Sequence, residues 1–376
     1  MRFLTAGESH GSQIAVIIEG VPAGIEISEN YIEKELLRRR YCIGRSPRME
    51  IEKENILIVS GVRKGVTTGA PIMVVIPNSE SENKNKDEIS KLQNDVYTLR
   101  PGHSDLVGVL KFGFKEARNV IERASARETA TRVAVGAVAK RFLKEFNVSF
   151  ASAIIQIGPI ISTKKITFNN VRKLNPLFPF ADKEKESEVI KLIQDFKEKG
   201  ETLGGKVWVS VKGVVPGIGS YTNWDKRLDA QIGFQLLSIP SVKGVAIGEI
   251  EETISMAGGV AQDQFENSNK EFFKRKTNKA GGIEGGVSNG ENIEATVFVK
   301  PLPSSKFLNG GFDLKEMKIK KPEIPRSDTT SLAPITVICE SLLAIVLMKN
   351  YLEKFGSDSL MDIKKNYLNY KKRLKL

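Results

Sequence analysis

Residues 100–132 read RPGHSDLVGVLKFGFKEARNVIERASARETATR, and this stretch predicts the central helix of the fold. Ser125 and Glu128 match the S-x-x-E capping box, in which a serine hydroxyl and a glutamate carboxylate satisfy free amides at a helix start. The apolar residues that follow recur at helical spacing and are mostly small, which predicts a buried, closely packed helix. They are Ala130, Val133, Ala134, Ala137, Val138 and Phe142.

Five arginines surround the predicted start of that helix: Arg100, Arg118, Arg123, Arg127 and Arg132. Amide groups at a helix N-terminus and guanidinium groups both attract negative charge, so the stretch predicts a site for an anion. The alternative is a surface helix with ordinary salt bridges. Alanine and valine occupy most of the positions where a surface helix carries Glu and Lys, which favours the anion site.

The composition is that of a soluble globular protein, with 376 residues of which 40% are hydrophobic and 27% are charged. The N-terminal residues lack the pattern of a signal peptide, so we expect a cytoplasmic location. The longest apolar run, residues 342–348, is too short to span a bilayer, and we expect no membrane partner. The two cysteines, Cys42 and Cys339, fit a reducing compartment without a disulfide framework.

The net charge of +12 is unevenly made up. Residues 38–132 contain 11 Arg and 7 Lys, whereas the remainder of the chain contains 7 Arg and 32 Lys. Clustered arginine is suited to planar, bidentate contacts with phosphate or carboxylate. Because no zinc-finger, RNP-like or zipper pattern accompanies the cluster, the sequence predicts a small anionic substrate rather than nucleic acid. It predicts no metal site.

The chain has only two histidines, and each lies in a glycine-containing motif. His10 belongs to GESHG at residues 7–11, where flanking glycines allow a tight turn that presents Ser9 and His10. His103 belongs to RPGHSD at residues 100–105. An arginine cluster lies between the two motifs in sequence. Together these features favour a catalytic role for both imidazoles in proton transfer over two ordinary packed histidines.

The pattern of apolar runs predicts an α+β fold. Strands are predicted at residues 13–18, 56–60, 71–76, 151–157, 207–215, 245–250 and 293–299, with helices after Ser28 and at 186–199, 225–237 and 334–355. The order of strand, helix, strands and an arginine-led helix occurs twice, which predicts one domain over residues 1–376 with pseudo-repeat halves at about 1–150 and 200–360. Residues 79–95 and 260–290 are predicted to be exposed excursions.

Seven motifs, which follow one another along the chain in the family's order, together resemble the chorismate synthase family. The arginine-rich motif at residues 38–49 contains Arg38, Arg39, Arg40, Arg45 and Arg48. The other six are GESHG, SGVRKGVTTGAPI at 60–72, RPGHSD, ERASARETATRVAVGAVAK at 122–140, GGIEGGVSNG at 281–290 and RSDTT at 326–330. They are spread over nearly the whole chain, and any one of them alone is weak.

The resemblance implies a cytosolic homotetramer with a β-α-β sandwich fold. It implies conversion of 5-enolpyruvylshikimate 3-phosphate to chorismate by anti-1,4-elimination of phosphate, in the shikimate pathway to the aromatic amino acids. Reduced FMN is required in the family without net redox change. Whether this chain reduces its own flavin with NADPH or depends on an external flavin reductase stays open; the lack of an extra reductase domain favours the external one.

The resemblance also assigns roles to individual residues. His10 would protonate the departing phosphate and His103 the reduced flavin, Asp328 would lie near the flavin nitrogen, and Ser9 and Ser125 would support the proton relay. Arg39 and Arg45 match a pair that holds either NADPH or substrate phosphate, and Arg48 and Arg127 would bind substrate. The flavin contacts carried over are Arg123, Ala124, Ser125, Gly285, Lys300, Pro301, Leu302, Pro303, Ser304 and Arg326.

The sequence also allows two functions of other classes. GESHG also satisfies G-x-S-x-G, so Ser9 could be the nucleophile of a serine hydrolase. The position of the motif at the N-terminus, before a buried strand and not a helix, argues against that interpretation. The basic clusters could instead belong to a module that binds RNA or phosphoproteins, which predicts steep salt dependence and no yellow cofactor.

Overall fold

A computed structural model describes residues 1–40, 56–78, 94–266, 274–324 and 328–374. The strands in this part of the chain are β1 Arg2–Gly7, β2 Gln13–Glu19, β3 Leu57–Ser60, β4 Val62–Arg63, β5 Val66–Thr67, β6 Ile72–Pro77, β7 Thr98–Leu99, β8 Ser149–Ile157, β9 Ile160–Ile161, β10 Gly205–Lys212, β11 Val242–Ile247, β12 Ile283–Glu284, β13 Val287–Ser288, β14 Ile293–Val299, β15 Gly311–Asp313 and β16 Lys318–Lys320. The helices are α1 Glu29–Arg40, α2 Asp105–Phe112, α3 Arg118–Ala124, α4 Thr129–Lys144, α5 Phe168–Val171, α6 Glu186–Lys199, α7 Leu228–Leu237, α8 Ile250–Thr253, α9 Gly258–Ala261, α10 Leu332–Phe355 and α11 Leu360–Leu374.

Two antiparallel sheets form the outer layers of the fold. The first has the strand order β1-β2-β6-β3, and the second has the order β11-β14-β10-β8-β9. Between them lie α1, α4 and α10, with α4 packed on the first sheet and α10 on β8 and β10. The result is the β-α-β sandwich of an α+β protein.

The period-2 pattern of the strands explains which face of each sheet meets the helices. On the first sheet, Ile14, Val16 and Ile18 of β2 point inward and are buried. The opposite face is also apolar, yet it lies open: Leu4, Ile17, Leu57 and Val59 are exposed. An antiparallel sheet usually presents polar residues on its solvent face, so this outer face is unusual for a lone chain.

The predicted central helix is confirmed as α4, and all six of its predicted core residues are buried. The second apolar helix is confirmed as α10, which is long enough, with a mean hydropathy of 1.9, to cross a membrane by length and composition alone. In the structure 94% of that apolar window is buried between the two sheets. Its hydrophobicity therefore reflects a core helix that packs on every side.

A cluster of charged side chains is buried between the three central helices. Glu340 on α10 accepts hydrogen bonds from Lys140 on α4 at 2.7 Å and from Arg38 on α1 at 2.8 Å. Ser152 on β8 donates to the other carboxylate oxygen at 2.7 Å, and Lys140 also binds Glu35 at 2.7 Å. Burial disfavours the charged form of Glu340, but the two cations outweigh it and hold the pKa of this carboxyl well below its usual range.

One prediction about the surface is wrong in part. Residues 260–290 were expected to be an exposed excursion, but Ile283, Ser288 and Asn289 are buried. The β12–β13 hairpin folds onto the body of the protein, where Ser288 N–H donates to the carbonyl of Ile218 at 2.8 Å. Gly281 and Gly282, with φ of 61° and 75°, allow the tight approach of this segment to β14. Residues 79–93 of the other predicted excursion lie outside the described residues.

The expected division into halves at about 1–150 and 200–360 stays a prediction. Strand β8 begins at the end of the first half yet pairs with β10 of the second.

Candidate active site

The GESHG motif forms the loop between β1 and β2, and it is fixed from two sides. Ser9 N–H donates to the carbonyl of Glu122 at 3.1 Å, and the Ser9 hydroxyl donates to the Ser125 hydroxyl at 2.9 Å. On the other side, the amide of Asn78 donates to the carbonyls of Ser9 and Gly11 at 3.1 and 3.0 Å. The two serines predicted to act together are therefore brought into contact, although they are 116 residues apart in sequence.

His10 is held by a single carboxylate, that of Glu122 on α3. One oxygen of Glu122 accepts from the His10 backbone N–H at 2.8 Å, and the other lies 2.8 Å from the ring Nδ1. Burial opposes the charged form of Glu122, but the hydrogen bonds from His10 outweigh it, so the pKa of this carboxyl is lowered. Glu122 is thus an ionised acceptor at neutral pH.

The segment from Arg123 to Arg132 ties the helix α4 to the first strand. Arg123 is exposed and donates to the carbonyl of Thr5 at 2.9 Å and to that of Gly7 at 3.3 Å. Glu128 accepts from the Thr5 hydroxyl at 3.0 Å and from Arg132 at 2.9 Å. Cationic groups therefore stand beside the Ser9–His10 loop, and the anion site itself stays a prediction.

The predicted capping box is confirmed only in its first half. The Ser125 hydroxyl accepts from the N–H of Arg127 at 3.3 Å and begins a short 3₁₀ turn, Ala126–Glu128, which leads into α4. The Glu128 carboxylate instead binds Thr5 and Arg132. A charged partner on the same helix and a hydroxyl on β1 compete successfully for this carboxylate, because ionic hydrogen bonds are stronger than a bond to a single amide.

Arg39 and Arg127 support the same turn from different sides. Arg39 is buried and donates to the hydroxyl of Thr129 at 3.0 Å and to the carbonyl of Ala126 at 2.9 Å. Arg127 is half-buried and donates to the carbonyl of Pro77 at 3.1 Å. Each guanidinium thus braces the start of α4 within the protein.

His103 has a carboxylate partner of its own. Asp105, the first residue of α2, is fully buried and lies in short hydrogen-bond contact with Nδ1 of His103. The same carboxylate accepts from Arg100 through the backbone N–H at 3.1 Å and through Nε at 2.8 Å. Burial raises the pKa of Asp105, but the His103 and Arg100 hydrogen bonds outweigh it and hold the pKa well below its usual range.

The predicted flavin segment of residues 300–304 lies against the His103 loop. The Lys300 ammonium donates to the carbonyl of Gly102 at 2.9 Å, and a Cβ placed on Gly102 would lie 3.5 Å from Cβ of Pro303. At the other side of this segment, the Thr202 hydroxyl donates to the carbonyl of Leu302 at 2.8 Å.

Asp328 lies at the same end of the second sheet. Leu203 N–H donates to the carbonyl of Thr329 at 2.8 Å, which places residues 328–330 of the RSDTT motif beside the segment that leads into β10. Asp328 is half-buried. The structure therefore places the His103 loop next to residues 300–304. Those residues lie next to Thr202, and the adjacent Leu203 is hydrogen-bonded to Thr329, which follows Asp328.

Not every predicted site residue joins this group. Gly285 lies in the turn between β12 and β13 with φ of 58°, and its neighbour there is the exposed Tyr221. Within the described part of the chain, no hydrogen bond connects Gly285 to the His10 or His103 loops. Arg45, Arg48 and Arg326 lie outside the described residues.

Sequence reasoning missed the two carboxylates that hold the histidines and the asparagine that holds the loop, namely Glu122, Asp105 and Asn78. Asp105 could have been found, because it follows His103 by two residues in RPGHSD. Glu122 and Asn78 meet the GESHG loop only through the fold. Among the described residues, no group of three or more His, Cys, Asp or Glu side chains is arranged to hold a metal ion.

The serine-hydrolase alternative lacks its required geometry in this structure. A nucleophilic serine needs a hydrogen bond to a base. Ser9 donates to Ser125 instead, and Nδ1 of His10 is directed to Glu122. Within the described part of the chain, no hydrogen bond joins the Ser9 hydroxyl to either imidazole. The Gly-x-Ser-x-Gly spacing here serves a turn between two antiparallel strands.

Comparison with known proteins gives a consistent result over nearly the full length. Residues 1–352 match the family described as chorismate synthase. The chain is 44% identical to a chorismate synthase of Carboxydothermus hydrogenoformans, over 98% of both chains. It is 39% identical to that of Clostridium tetani, over 99% of this chain and 97% of the relative. A solved crystal structure of a chorismate synthase superposes with a TM-score of 0.79 at 35% identity, over 100% of this chain and 98% of that one.

Proposed function

Since the chain belongs to the chorismate synthase family, we propose that its two carboxylate-held histidines and the cations around them carry out the reaction of that family. That reaction converts 5-enolpyruvylshikimate 3-phosphate to chorismate with loss of phosphate, in the shikimate pathway. The observation that carries the assignment of residues is the pairing of both imidazoles with ionised carboxylates, His10 with Glu122 and His103 with Asp105.

The chemistry explains why the site is built from histidine and arginine. A phosphate that leaves an allylic carbon needs its charge neutralised and a proton delivered. We assign the proton delivery to His10, whose loop lies beside the exposed guanidinium of Arg123. Ser9 and Ser125, which hydrogen-bond each other, would keep this loop and the start of α4 in register while the proton moves. Arg127, and Arg48 outside the described residues, would hold the substrate anions.

The residues present also fit reduced FMN as the cofactor. An exposed arginine (Arg123), a lysine (Lys300) and backbone groups of residues 300–304 supply the cations and donors that a flavin phosphate and ring require, and Lys300 reaches the His103 loop. Ala124, Ser125, Gly285 and Arg326 complete the proposed set. When bound, reduced FMN supplies electron density to the substrate and accepts its hydrogen. His103 would provide the proton for the flavin, and Asp328 would lie near the accepting nitrogen.

Three further properties belong to the same proposal. The protein is cytoplasmic, and it is a homotetramer in which the apolar outer face of the first sheet is covered by other copies. The open Leu4, Ile17, Leu57 and Val59 support that assembly, because monomeric proteins rarely expose such a patch. Arg39 and Arg45 hold NADPH or substrate phosphate. Of the two sources of reduced flavin, an external flavin reductase is favoured over reduction by this chain with NADPH.

The decisive experiment measures phosphate release from 5-enolpyruvylshikimate 3-phosphate without oxygen. One reaction contains dithionite-reduced FMN and a matched one contains oxidised FMN. We expect phosphate and chorismate absorbance only with reduced flavin. Release with both forms, or no release from folded protein that binds FMN, would overturn the proposal. A fluorophosphonate probe serves as the control for the hydrolase alternative, and we expect Ser9 to remain unlabelled.

A further inference from the structure

We propose that Glu122 is the positioning residue for His10, and that it fixes the imidazole so that Nε2 is the nitrogen that exchanges a proton with the substrate. This inference rests on the proposed role of His10 as the acid for the departing phosphate. It adds a residue and an atom to that role. Glu122 belongs to the ERASARET stretch, where the resemblance assigned functions to Arg123, Ala124 and Ser125 and none to the glutamate that precedes them.

The geometry of the contact is unusual because one carboxylate holds both the main chain and the ring of the same residue. Its Oε2 accepts from the backbone N–H of His10 at 2.8 Å, and its Oε1 lies 2.8 Å from Nδ1. The backbone contact between Ser9 N–H and the Glu122 carbonyl, at 3.1 Å, adds a third connection between the same two segments. Ring rotation would break the second contact, so the imidazole has one preferred orientation.

The protonation of the ring follows from the chemistry of the acceptor. An ionised carboxylate can only accept hydrogen bonds. The nitrogen that faces it, Nδ1, must therefore carry a hydrogen in both the neutral and the cationic ring. The hydrogen that the ring loses and regains during proton transfer is then the one on Nε2. Because the Nδ1 contact persists in both states, His10 can deliver a proton without turning, and the product phosphate meets the same ring orientation as the substrate.

The other charged side chains near this loop contact groups other than the His10 ring. Arg118 lies 3.5 Å from Glu122 on the same helix, and Arg123 donates to the Thr5 and Gly7 carbonyls. Arg127 donates to the Pro77 carbonyl, and Glu8 is exposed. Within the described residues, Glu122 is the charged side chain in hydrogen-bond contact with the His10 ring.

His103 offers an internal contrast. Its carboxylate, Asp105, is shared with Arg100, whose Nε and Nη2 both donate to it and whose Nη2 also lies 3.1 Å from the His103 Nδ1. A guanidinium N–H competes there with the imidazole for the same oxygen, Oδ1. The Glu122 carboxylate makes its two shortest contacts with His10, both at 2.8 Å, whereas Arg118 lies 3.5 Å from it. The two histidines are therefore held differently, in keeping with two different proton transfers.

The test uses the full-length protein and reads the tautomer directly. Because the chain has only two histidines, a sample with ¹⁵N-labelled histidine gives two pairs of ring nitrogen signals, and a His10→Gln variant identifies which pair belongs to His10. At a pH where the ring is neutral, we expect the Nδ1–H form in the unchanged protein. The Nε2–H form in the unchanged protein would overturn the inference without any variant.

The Glu122→Gln variant makes a sharper test. The backbone N–H of His10 still needs an acceptor, so the glutamine oxygen takes that place and its NH₂ group faces Nδ1. The ring must then accept at Nδ1, and the tautomer changes to Nε2–H. We expect kcat to fall by about 100-fold with KM nearly unchanged, which is the size of a lost general acid. Retention of the Nδ1–H form in Glu122→Gln would contradict the inference.

Two further variants separate positioning from general effects. Glu122→Asp keeps the carboxylate and should retain the Nδ1–H form and recover part of kcat. Glu8→Gln removes the same charge from an exposed position two residues from His10 and should change neither quantity. If the tautomers behave as expected while no protein, variant or parent, releases phosphate, the proposed function and the proton exchange at Nε2 fail, and only the orientation of the His10 ring by Glu122 stands.

Discussion

Gly136 on α4 and Ser341 on α10 meet where the two central helices cross, and a Cβ placed on Gly136 would lie 2.6 Å from Cα of Ser341. Such a distance is shorter than any side chain can tolerate against backbone. Glycine is therefore required at this position by the approach of the neighbouring helix, although its backbone is ordinary α-helix. The close crossing lets α4 and α10 fill the space between the sheets.

We expect Gly136→Ala to lower the free energy of unfolding by about 3 kcal/mol, as for overpacking in a rigid core. Urea denaturation measures this quantity. Gly233→Ala is the matched control on helix α7, because nothing lies within 4 Å of a Cβ placed there. That variant should be neutral or stabilising by about 0.5–1 kcal/mol. Ser341→Gly should recover part of the loss in Gly136→Ala, and equal destabilisation by the two alanines would contradict this explanation.

Lys140→Met should lower stability by about 3 kcal/mol at neutral pH, because among the described residues it leaves Arg38 as the one cation bonded to the half-buried Glu35 and the buried Glu340. Both carboxyls have lowered pKa values in the fold, so the stability that they contribute is present above their unfolded pKa and is lost as the pH falls. The cost of the variant should therefore shrink in acid.

Lys226→Met provides the comparison for that experiment, since Lys226 forms an exposed ion pair with Glu353 at 2.6 Å. Exposed pairs contribute about 0–1 kcal/mol. Denaturation of both variants at several pH values would decide the point. A Lys140 variant no less stable than the Lys226 variant would mean that the buried cluster does not hold the helices together.

For Glu294 we expect the stability of the fold to depend on pH in the opposite direction from Glu35 and Glu340. Burial first, and then the charge of Glu249, raise the pKa of Glu294 from 4.5 to about 7. A carboxyl whose pKa is raised on folding favours the folded state below its unfolded pKa, and this advantage is lost as the pH rises through 7. The shift corresponds to about 3 kcal/mol.

Glu294→Gln should therefore raise the free energy of unfolding at pH 8 by up to about 3 kcal/mol and change it little at pH 4. The glutamine can keep the contact with Ser210 across the sheet, where the two residues are paired in register. Glu249→Gln should give a smaller gain of the same kind. Stability profiles that run parallel for Glu294→Gln and the parent between pH 4 and pH 8 would refute the assignment.

Asp105→Asn should reduce kcat by about 10-fold or more, because an amide can no longer hold both Arg100 and the His103 ring as an ionised acceptor does. The assay is phosphate release with reduced FMN. Asp95→Asn is the control, since Asp95 is exposed and binds the Tyr97 hydroxyl at the surface. If Asp105→Asn turned over like Asp95→Asn, the buried carboxylate would have no part in orienting His103.

The sequence predicted the fold best in elements whose regular spacing of apolar residues matches the face that packs in the core. The small apolar residues of α4 recur at helical spacing, and the structure buries each of them. The strands at 13–18, 71–76 and 293–299 were predicted within a residue or two, because each is bounded by turn residues. Local pattern and tertiary packing agree in these elements, so no knowledge of distant neighbours was needed.

The site was less predictable because its contacts join segments that are distant in sequence. Glu122 and His10 are 112 residues apart, and nothing in either motif alone specifies that they meet. Glu128 shows the same limit from the other direction. Its sequence context predicts a capping box, but the fold places Thr5 of β1 within 3.0 Å of its carboxylate. The capping-box pattern fails there because Thr5, which is distant in sequence, becomes the partner of the Glu128 carboxylate in the folded protein.

The position of α10 has a consequence for how the protein is made. This helix fills the space between the two sheets, yet the ribosome adds it after every strand that the structure describes. During synthesis, the inward face of the second sheet exists for seconds without the helix that covers it, at ordinary rates of elongation. Folding must therefore be completed late, and the growing chain has to be kept from associating with its neighbours until Leu332–Phe355 emerges.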